Sequence, residues 1–187
     1  MTDRLATGRI VLRQFTVDDG DLLIALDNDP RVMRYINGGR PVPHAEIVDE
    51  TIPAFLAYYG RGDTYGFWGA IERSSGSFIG WFHYRPGEGD GPLEPELGYR
   101  LHTSAWGRGY ATEVAQGLID DGFANRGVER VHASTMVVNG ASQRVMEKVG
   151  MRLVRTFHAD WPVRIDGDEH GDVEYAITRQ EWAATRG

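Results

Sequence analysis

The sequence predicts an α/β (α+β) domain built around a mixed sheet. Three observations predict it. Segments that alternate polar and apolar residues are interleaved with segments of helical period along the chain. The 187 residues, 41% of them hydrophobic, suffice for one substantial core. No repeat, low-complexity run or long linker divides them, so a single domain over residues 1–187 is expected.

Arg9-Ile10-Val11-Leu12-Arg13-Gln14-Phe15 alternates in character and predicts a strand with one wet face. Thr16 followed by Asp19 has the form of a capping box, opening a helix through Asp27 with Leu22, Leu23 and Leu26 as its apolar stripe. Asp29-Pro30 starts a short helix to Tyr35, which Asn37-Gly38-Gly39 ends. From His44 to Tyr59 the pattern is helical again, with Ile47, Val48, Ile52, Phe55 and Leu56 on one side. Pro53 lies inside this stretch and predicts a kink or a break. Tyr65–Glu72 and Ser77–Arg85 read as strands around the turn Arg73-Ser74-Ser75-Gly76. An acidic, glycine- and proline-rich loop over Pro86–Pro95 leads to a strand at Glu96–Leu101.

A glycine turn, Trp106-Gly107-Arg108-Gly109-Tyr110, then feeds the strongest helix. Its apolar residues Ala111, Val114, Ala115, Leu118, Ile119 and Phe123 recur at helical spacing. Arg130–Val138 is a further strand. Ser142–Val149 is a short helix closed by Gly150, with Val145, Met146 and Val149 inward. Arg152–Phe157 and Asp172–Thr178 are two late strands joined by the polar connection Asp166–Gly171.

Composition excludes several classes of function. Twenty Lys+Arg stand against 27 Asp+Glu, a formal charge of −7, and no basic run occurs; nucleic acid and anionic membranes are therefore not the expected partners. Cysteine is absent, which rules out a disulfide scaffold, a thiolate metal site and an acyl-cysteine intermediate. No apolar stretch approaches the ~18 residues of a membrane span, and Met1-Thr2-Asp3-Arg4 lacks a signal-peptide core. The expectation is a soluble cytoplasmic protein. Lys148 is its only lysine.

Chemistry first becomes visible at the glycine turn. Glycines at 107 and 109 let backbone approach a ligand, and the helix that follows offers unpaired N–H groups at a positive dipole end. This suits an anion, phosphates above all; a tight turn that needs glycine and binds nothing is the other reading. No Gly-Lys-Ser/Thr follows, so this is not a Walker A loop, and a third glycine is missing for a dinucleotide fingerprint. A second constellation, Asn139-Gly140-Ala141-Ser142 with Glu147-Lys148-Val149-Gly150, brackets the next helix.

Together the two segments resemble the GNAT superfamily of acyl-CoA-dependent N-acetyltransferases. Its pyrophosphate motif, Gln/Arg-x-x-Gly-x-Gly/Ala, is matched in its last four positions by Arg108-Gly109-Tyr110-Ala111. Trp106 replaces the usual first residue, and Trp106-Gly107-x-Gly109-Tyr110-Ala111-Thr112-Glu113 is similar to the ribosomal-protein alanine N-acetyltransferase branch. Thr7–Leu12 with Arg13 and Asp29-Pro30-x-Val32-x-x-Tyr35 add to the likeness, which covers most of the chain and is weakest over 41–62 and 161–171.

The resemblance implies a largely antiparallel sheet, splayed into a V between the strands at Glu96–Leu101 and Arg130–Val138. Acetyl-CoA is the implied co-substrate. Its pantetheine arm would lie in the gap near Leu101, and its pyrophosphate on the backbone N–H groups of Gly107, Arg108, Gly109, Tyr110 and Ala111 beside Trp106, with Thr112 adding a hydroxyl; the Arg108 side chain would meet the adenine nucleotide phosphates or be simply solvated. Asn139 would hold the arm or cap the next helix. Amine acetylation needs a base, and the resemblance points to Glu96, with a solvated strand-end glutamate as the plain alternative. Many relatives carry a tyrosine acid seven positions past the asparagine; Met146 stands there. Ser142 is the expected substitute, or simply a capping hydroxyl. On the late strand His158, Asp160 and Trp161 form a third cluster, in which Asp160 rivals Glu96 as the base.

Asp166, Asp168, Glu169, His170 and Asp172 match no metal-loop spacing and read as a charged hairpin tip, so no metal is expected. His83 reads as a core or surface histidine near the acceptor pocket, whose walls would be Tyr35, Ile36, Trp81 and Phe82 unless these are plain core. Lys148 suits a helix C-terminus. The expected function is acetyl transfer from acetyl-CoA to a primary amine, a protein N-terminus or a small molecule, by direct attack in a ternary complex. The alternatives are a non-catalytic acyl-CoA sensor or scaffold, an aminoglycoside or polyamine acetyltransferase, and a nucleotide-binding module of another fold. A homodimer is an expectation carried by the family.

Overall fold

A computed structural model of the chain describes residues 3–161 and 163–186; Met1, Thr2, Pro162 and Gly187 lie outside the described residues, and with them the first two positions of the Met1-Thr2-Asp3-Arg4 stretch. Eight strands are described: β1 (Asp3–Ala6), β2 (Ile10–Arg13), β3 (Gly66–Glu72), β4 (Phe78–Arg85), β5 (Glu96–Leu101), β6 (Arg130–Met136), β7 (Arg152–Phe157) and β8 (Asp172–Thr178). They form one sheet in the order β1-β2-β3-β4-β5-β6-β8-β7. Every pairing is antiparallel except β5 with β6, which run parallel and share a single register pair, Glu96 with His132. The sheet is therefore a mixed one with a seam: two antiparallel blocks joined at one point and splayed beyond it.

Strand alternation sends apolar residues to both faces. Phe82, Tyr84, Leu97 and Leu101 pack with Val131, Ala133 and Tyr175 under α5 (Tyr110–Asn125) and α6 (Gly140–Lys148). On α5, Val114, Ala115, Leu118, Ile119 and Phe123 fall on the buried face, as their spacing predicts. Each fully buried Leu, Ile or Phe is worth roughly 1.5–3 kcal/mol, so this face is a principal source of stability. The opposite face carries a second cluster in which Phe15, Leu23, Leu26, Phe55, Phe67 and Trp81 meet α1 (Gly20–Asp27) and α4 (Ile52–Tyr59).

The helix opened by Thr16 begins as a 3-10 turn over Val17–Asp19, where the Asp19 carboxylate accepts from the Thr16 N–H at 2.8 Å and from Arg13. α2 (Pro30–Asn37) is capped by Asp29, whose carboxylate accepts from the Arg31 N–H, and it ends at Gly38 in the left-handed region. The kink or break expected at Pro53 takes the form of a widened helical turn, with no break in the helical path. Ahead of α4 the chain passes through α3 (His44–Glu46) and a π-helical turn, Ile47–Thr51; a proline has no N–H to continue the α-helical ladder, and the turn before it widens.

Several expectations are corrected. Val48 is exposed, because the π turn rotates it off the buried stripe. The strand ending at Met136 leaves Val138 exposed. β1 is an added strand whose signal is masked by its charges; its Arg4 is buried against Asp121 at 2.5 Å. α7 (Arg179–Ala184) is a second addition, opened by a reciprocal capping box between Thr178 and Glu181. His158, Asp160 and Trp161 are not on a strand, since β7 ends at Phe157. Among the described residues no helix is long and apolar enough to cross a membrane.

Candidate active site

The seam opens into a cleft of about 750 Å³. One wall is β5 from Glu96 to Leu101, the other is β6 from Ala133 to Met136, and the starts of α5 and α6 close one end. At that end Gly107 and Gly109 take φ of 70° and 79°, conformations that side chains resist. Among the described residues, the N–H groups from Gly107 through Thr112 have no acceptor; the first one bonded is Glu113, to the Gly109 carbonyl. Open space lies over Gly107. Six consecutive free donors at the N-terminus of a 16-residue helix make a site that fits a pyrophosphate. Trp106 anchors the turn to the strand, donating from its indole N–H to the Leu101 carbonyl at 2.8 Å.

Two residues of this motif point elsewhere. Arg108 donates to Glu72 at 2.8 Å and does not line the cleft, so it is not the cation expected there. The Tyr110 hydroxyl also donates to Glu72, leaving only the body of that residue on the cleft wall. Cations come instead from α6. Arg144 and Lys148, four residues apart and thus on one face of the helix, both line the cleft. The i, i+4 spacing was a usable signal; Lys148 is more than a helix-terminal charge.

Asn139 is the α6 cap. Its carbonyl oxygen accepts from the Ser142 N–H at 3.3 Å while its amide donates to the Thr135 hydroxyl at 3.0 Å, so its polar atoms are engaged although it borders the cleft. Ser142 also lines the cleft, as does Tyr99. Burial holds the Tyr99 proton above the usual phenol range, against a smaller opposing effect of Ser142. Tyr99 is a functional candidate that sequence reasoning missed, because its alternation marked it as ordinary strand.

At the other end stands Glu96. Burial raises its pKa above the usual carboxylate value, and the nearby His132 and Arg85 only partly offset this. Register places Arg85 opposite Glu96, His83 opposite Gly98 and Trp81 opposite Arg100, so these residues share one face. The His83 ring lies against Gly98 where any Cβ would overlap it. Burial drives the His83 pKa down to about 3, and its Nδ1, like the Trp81 indole nitrogen, has no partner among the described residues. Arg100 donates to the buried Asp27 at 2.8 Å and lies over Trp81. Burial raises the Asp27 pKa more than Arg100 lowers it. Arg31, Val32, Tyr35 and Ile36 of α2 and Trp161 complete this side. Phe82 is not a wall: it points to the opposite face and is wholly buried.

Asp160 is exposed and borders neither this cleft nor the smaller cavity beside it. In the charged hairpin, Asp168 accepts from the Ile165 N–H and Arg164, and Asp172 accepts from the Ala159 N–H and the Trp161 indole. Among the described residues no three His, Asp or Glu side chains are grouped to share a metal ion.

Residues 9–152 match the family described as Acetyltransferase (GNAT) domain. The chain is 31% identical over 187 residues to an FsC-acetyl coenzyme A-N(2)-transacetylase of Aspergillus fumigatus, covering 95% of this chain and 77% of that one. A GNAT-family acetyltransferase structure from Bacillus anthracis superposes with a TM-score of 0.75 at 22% identity, over 96% of this chain and 99% of the other. An aminoglycoside acetyltransferase, AAC(6')-Ib in complex with coenzyme A, superposes with a TM-score of 0.73 at 21% identity, over 95% and 99% of the two chains. At these identities the two structures speak to the fold.

Proposed function

The chain belongs to the GNAT acetyltransferase family, and from that premise we propose that it transfers an acetyl group from acetyl-CoA to a primary amine by direct attack in a ternary complex. One observation carries the proposal: a single cleft joins six N–H donors at a helix start, free among the described residues, to a half-buried carboxylate at the far end. Acetyl-CoA supplies the acetyl group as a thioester, already activated. Gly107, Gly109, Ala111 and Thr112 would hold its pyrophosphate, with Arg144 and Lys148 supplying positive charge. Leu101 and Trp106 would border the arm.

Glu96 is the proposed base. An ammonium is not a nucleophile, and a carboxylate whose pKa is raised by burial takes a proton more readily than a solvated one. Ser142, which lines the cleft with Tyr99, is the proposed proton donor toward the departing sulfur. Free thiols have a pKa of about 8.5, so this donor assists rather than decides. The unpartnered Trp81 and His83 nitrogens support an acceptor seated on the α2 side. Similarity of the Trp106–Glu113 motif to the alanine N-acetyltransferase branch supports a peptide N-terminus as acceptor. The name of the fungal relative supports a smaller amine.

The test is thiol release from acetyl-CoA across N-terminal peptides, aminoglycosides and polyamines. Turnover of at least one is expected, rising with pH as Glu96 ionises. Glu96→Gln should lower kcat by roughly 10²–10⁴ with little change in KM for acetyl-CoA, whereas Asp160→Asn should stay near wild type. The reverse pattern would make Asp160 the base. Coenzyme A binding by calorimetry without turnover of any amine would identify a sensor, and no binding would overturn the proposal.

A further inference from the structure

Glu96 and Ser134 belong to two cavities at once. The second, of about 440 Å³, is bordered by Gly87, Asp90, Arg130, His132 and Glu174 and reaches the surface at the exposed Glu88 and Arg155. The base thus stands in the wall between the cleft and a separate opening to water.

His132 sits directly behind it. It is the register partner of Glu96 across the seam, its N–H donates to the Pro95 carbonyl, and its ring is buried. The His132 Nε2 lies 2.8 Å from Asp90 Oδ2. Asp90 is held below the usual carboxylate range: burial opposes this, but the Gly87 N–H and His132 outweigh it. An ionised carboxylate only accepts, so Nε2 carries the hydrogen of this pair, and in the neutral ring Nδ1 then keeps its lone pair. Arg130 and Arg155 both donate to Glu174, at 2.5 and 2.7 Å, Arg130 also pairs with Glu94 at 3.5 Å, and Arg85 faces Glu96 from β4. Glu88 is in solvent. His83, the other ring near Glu96, is kept neutral by burial and has no carboxylate partner.

The reaction has a proton to dispose of. From a protonated amine the nitrogen loses two protons as the N–C bond forms; the sulfur regains one as the C–S bond breaks, and one must leave. With both substrates seated, the cleft itself is blocked by them. We propose that the second cavity is the exit for this proton and that the His132–Asp90 pair relays it from Glu96 to solvent. The Glu96 carboxyl passes its proton to the free ring nitrogen of His132, directly or through one water. The imidazolium so formed is paired with Asp90 and releases its proton to water in the second cavity. His132 is thus a relay and positioning residue acting through Glu96, and the inference rests on Glu96 being the base.

The test has two arms. In the free protein, carbon-13 NMR of the Glu96 carboxyl across pH should show a second inflection contributed by His132, lost in His132→Gln. A single inflection untouched by that substitution would overturn the coupling. In the kinetic arm, with acetyl-CoA and the fastest amine of the panel above, His132→Gln should lower kcat about 10-fold or more with KM for acetyl-CoA unchanged. Millimolar imidazole should restore much of the rate in His132→Gly and none in Glu96→Gln. If His132→Gln does not fold, Asp90→Asn keeps the ring and should lower kcat and displace the acidic limb of the pH profile. Wild-type kcat and pH profile in these variants, with Glu96→Gln inactive, would overturn the relay alone. Full activity in Glu96→Gln would instead remove the base and the reading beneath it.

Discussion

At the residue scale, the division of labour among cations is the chief result. Arg108 lies inside the motif yet is spent on Glu72, whereas Arg144 and Lys148 line the cleft from a helix later in the chain. A protein of charge −7 has no bulk attraction for an anionic co-substrate, and on the proposed function these two side chains and the free N–H groups would supply it locally. Arg144→Ala combined with Lys148→Ala is therefore expected to raise KM for acetyl-CoA about 10-fold while leaving kcat near wild type, and the difference should shrink in high salt. Arg108→Ala should change KM little. Steady-state kinetics at two ionic strengths would decide it. That the glycines, Glu96 and Ser142 border one cleft was legible in part, because each sits in a local sequence pattern. Arg108 and Asp160 lie away from the cleft lining, which the sequence does not show because where a side chain points depends on partners far along the chain, Glu72 for the first and the end of β7 for the second.

At the element scale, one carboxylate explains why separate sequence segments belong together. Glu113 of α5 accepts from the Thr7 hydroxyl at 2.6 Å, the Arg9 N–H at 2.8 Å and the Arg9 Nε at 2.6 Å, while Arg9 also donates to the Arg108 carbonyl at 2.9 Å. This latches the lead-in to β2 onto the glycine turn. Burial raises the Glu113 pKa, but Thr7 and Arg9 outweigh it and hold the group below its ordinary value. A depressed carboxylate pKa stabilises the fold above the unfolded value, and the benefit is lost as pH falls through the folded one. Glu113→Ala should thus cost about 1–3 kcal/mol at neutral pH, or a Tm drop of several degrees, and the two proteins should converge in acid. Calorimetry at pH 7 and below pH 4 would test this; an equal deficit at both would refute the latch. Long periodic elements such as α5 were legible. β1, the π turn before Pro53 and α7 were less so, being short and decided by Arg4–Asp121, by a missing N–H and by a Thr178–Glu181 cap.

At the scale of the whole molecule, the GNAT fold implied by the two joint motifs is the fold of the chain. The acceptor was not legible because its candidate walls come from α2, β4 and Trp161, which converge only in three dimensions. The seam was equally hidden, since β5 and β6 each read as an ordinary strand. Its single pair, Glu96 with His132, means that β5 and β6 beyond it have a neighbour on one side only. Amide hydrogen exchange should therefore be uneven across the sheet. Backbone protons facing the gap between Leu97–Leu101 and Ala133–Met136 should trade with solvent deuterium far faster than those in the β3–β4 ladder. Adding coenzyme A should slow that set selectively, if its arm supplies the missing rung. Uniform slowing over all eight strands would instead mean global stabilisation. The tear beside Glu96 is in this sense an unfinished sheet, and a co-substrate that completed it would make the protein's own rigidity part of what it binds.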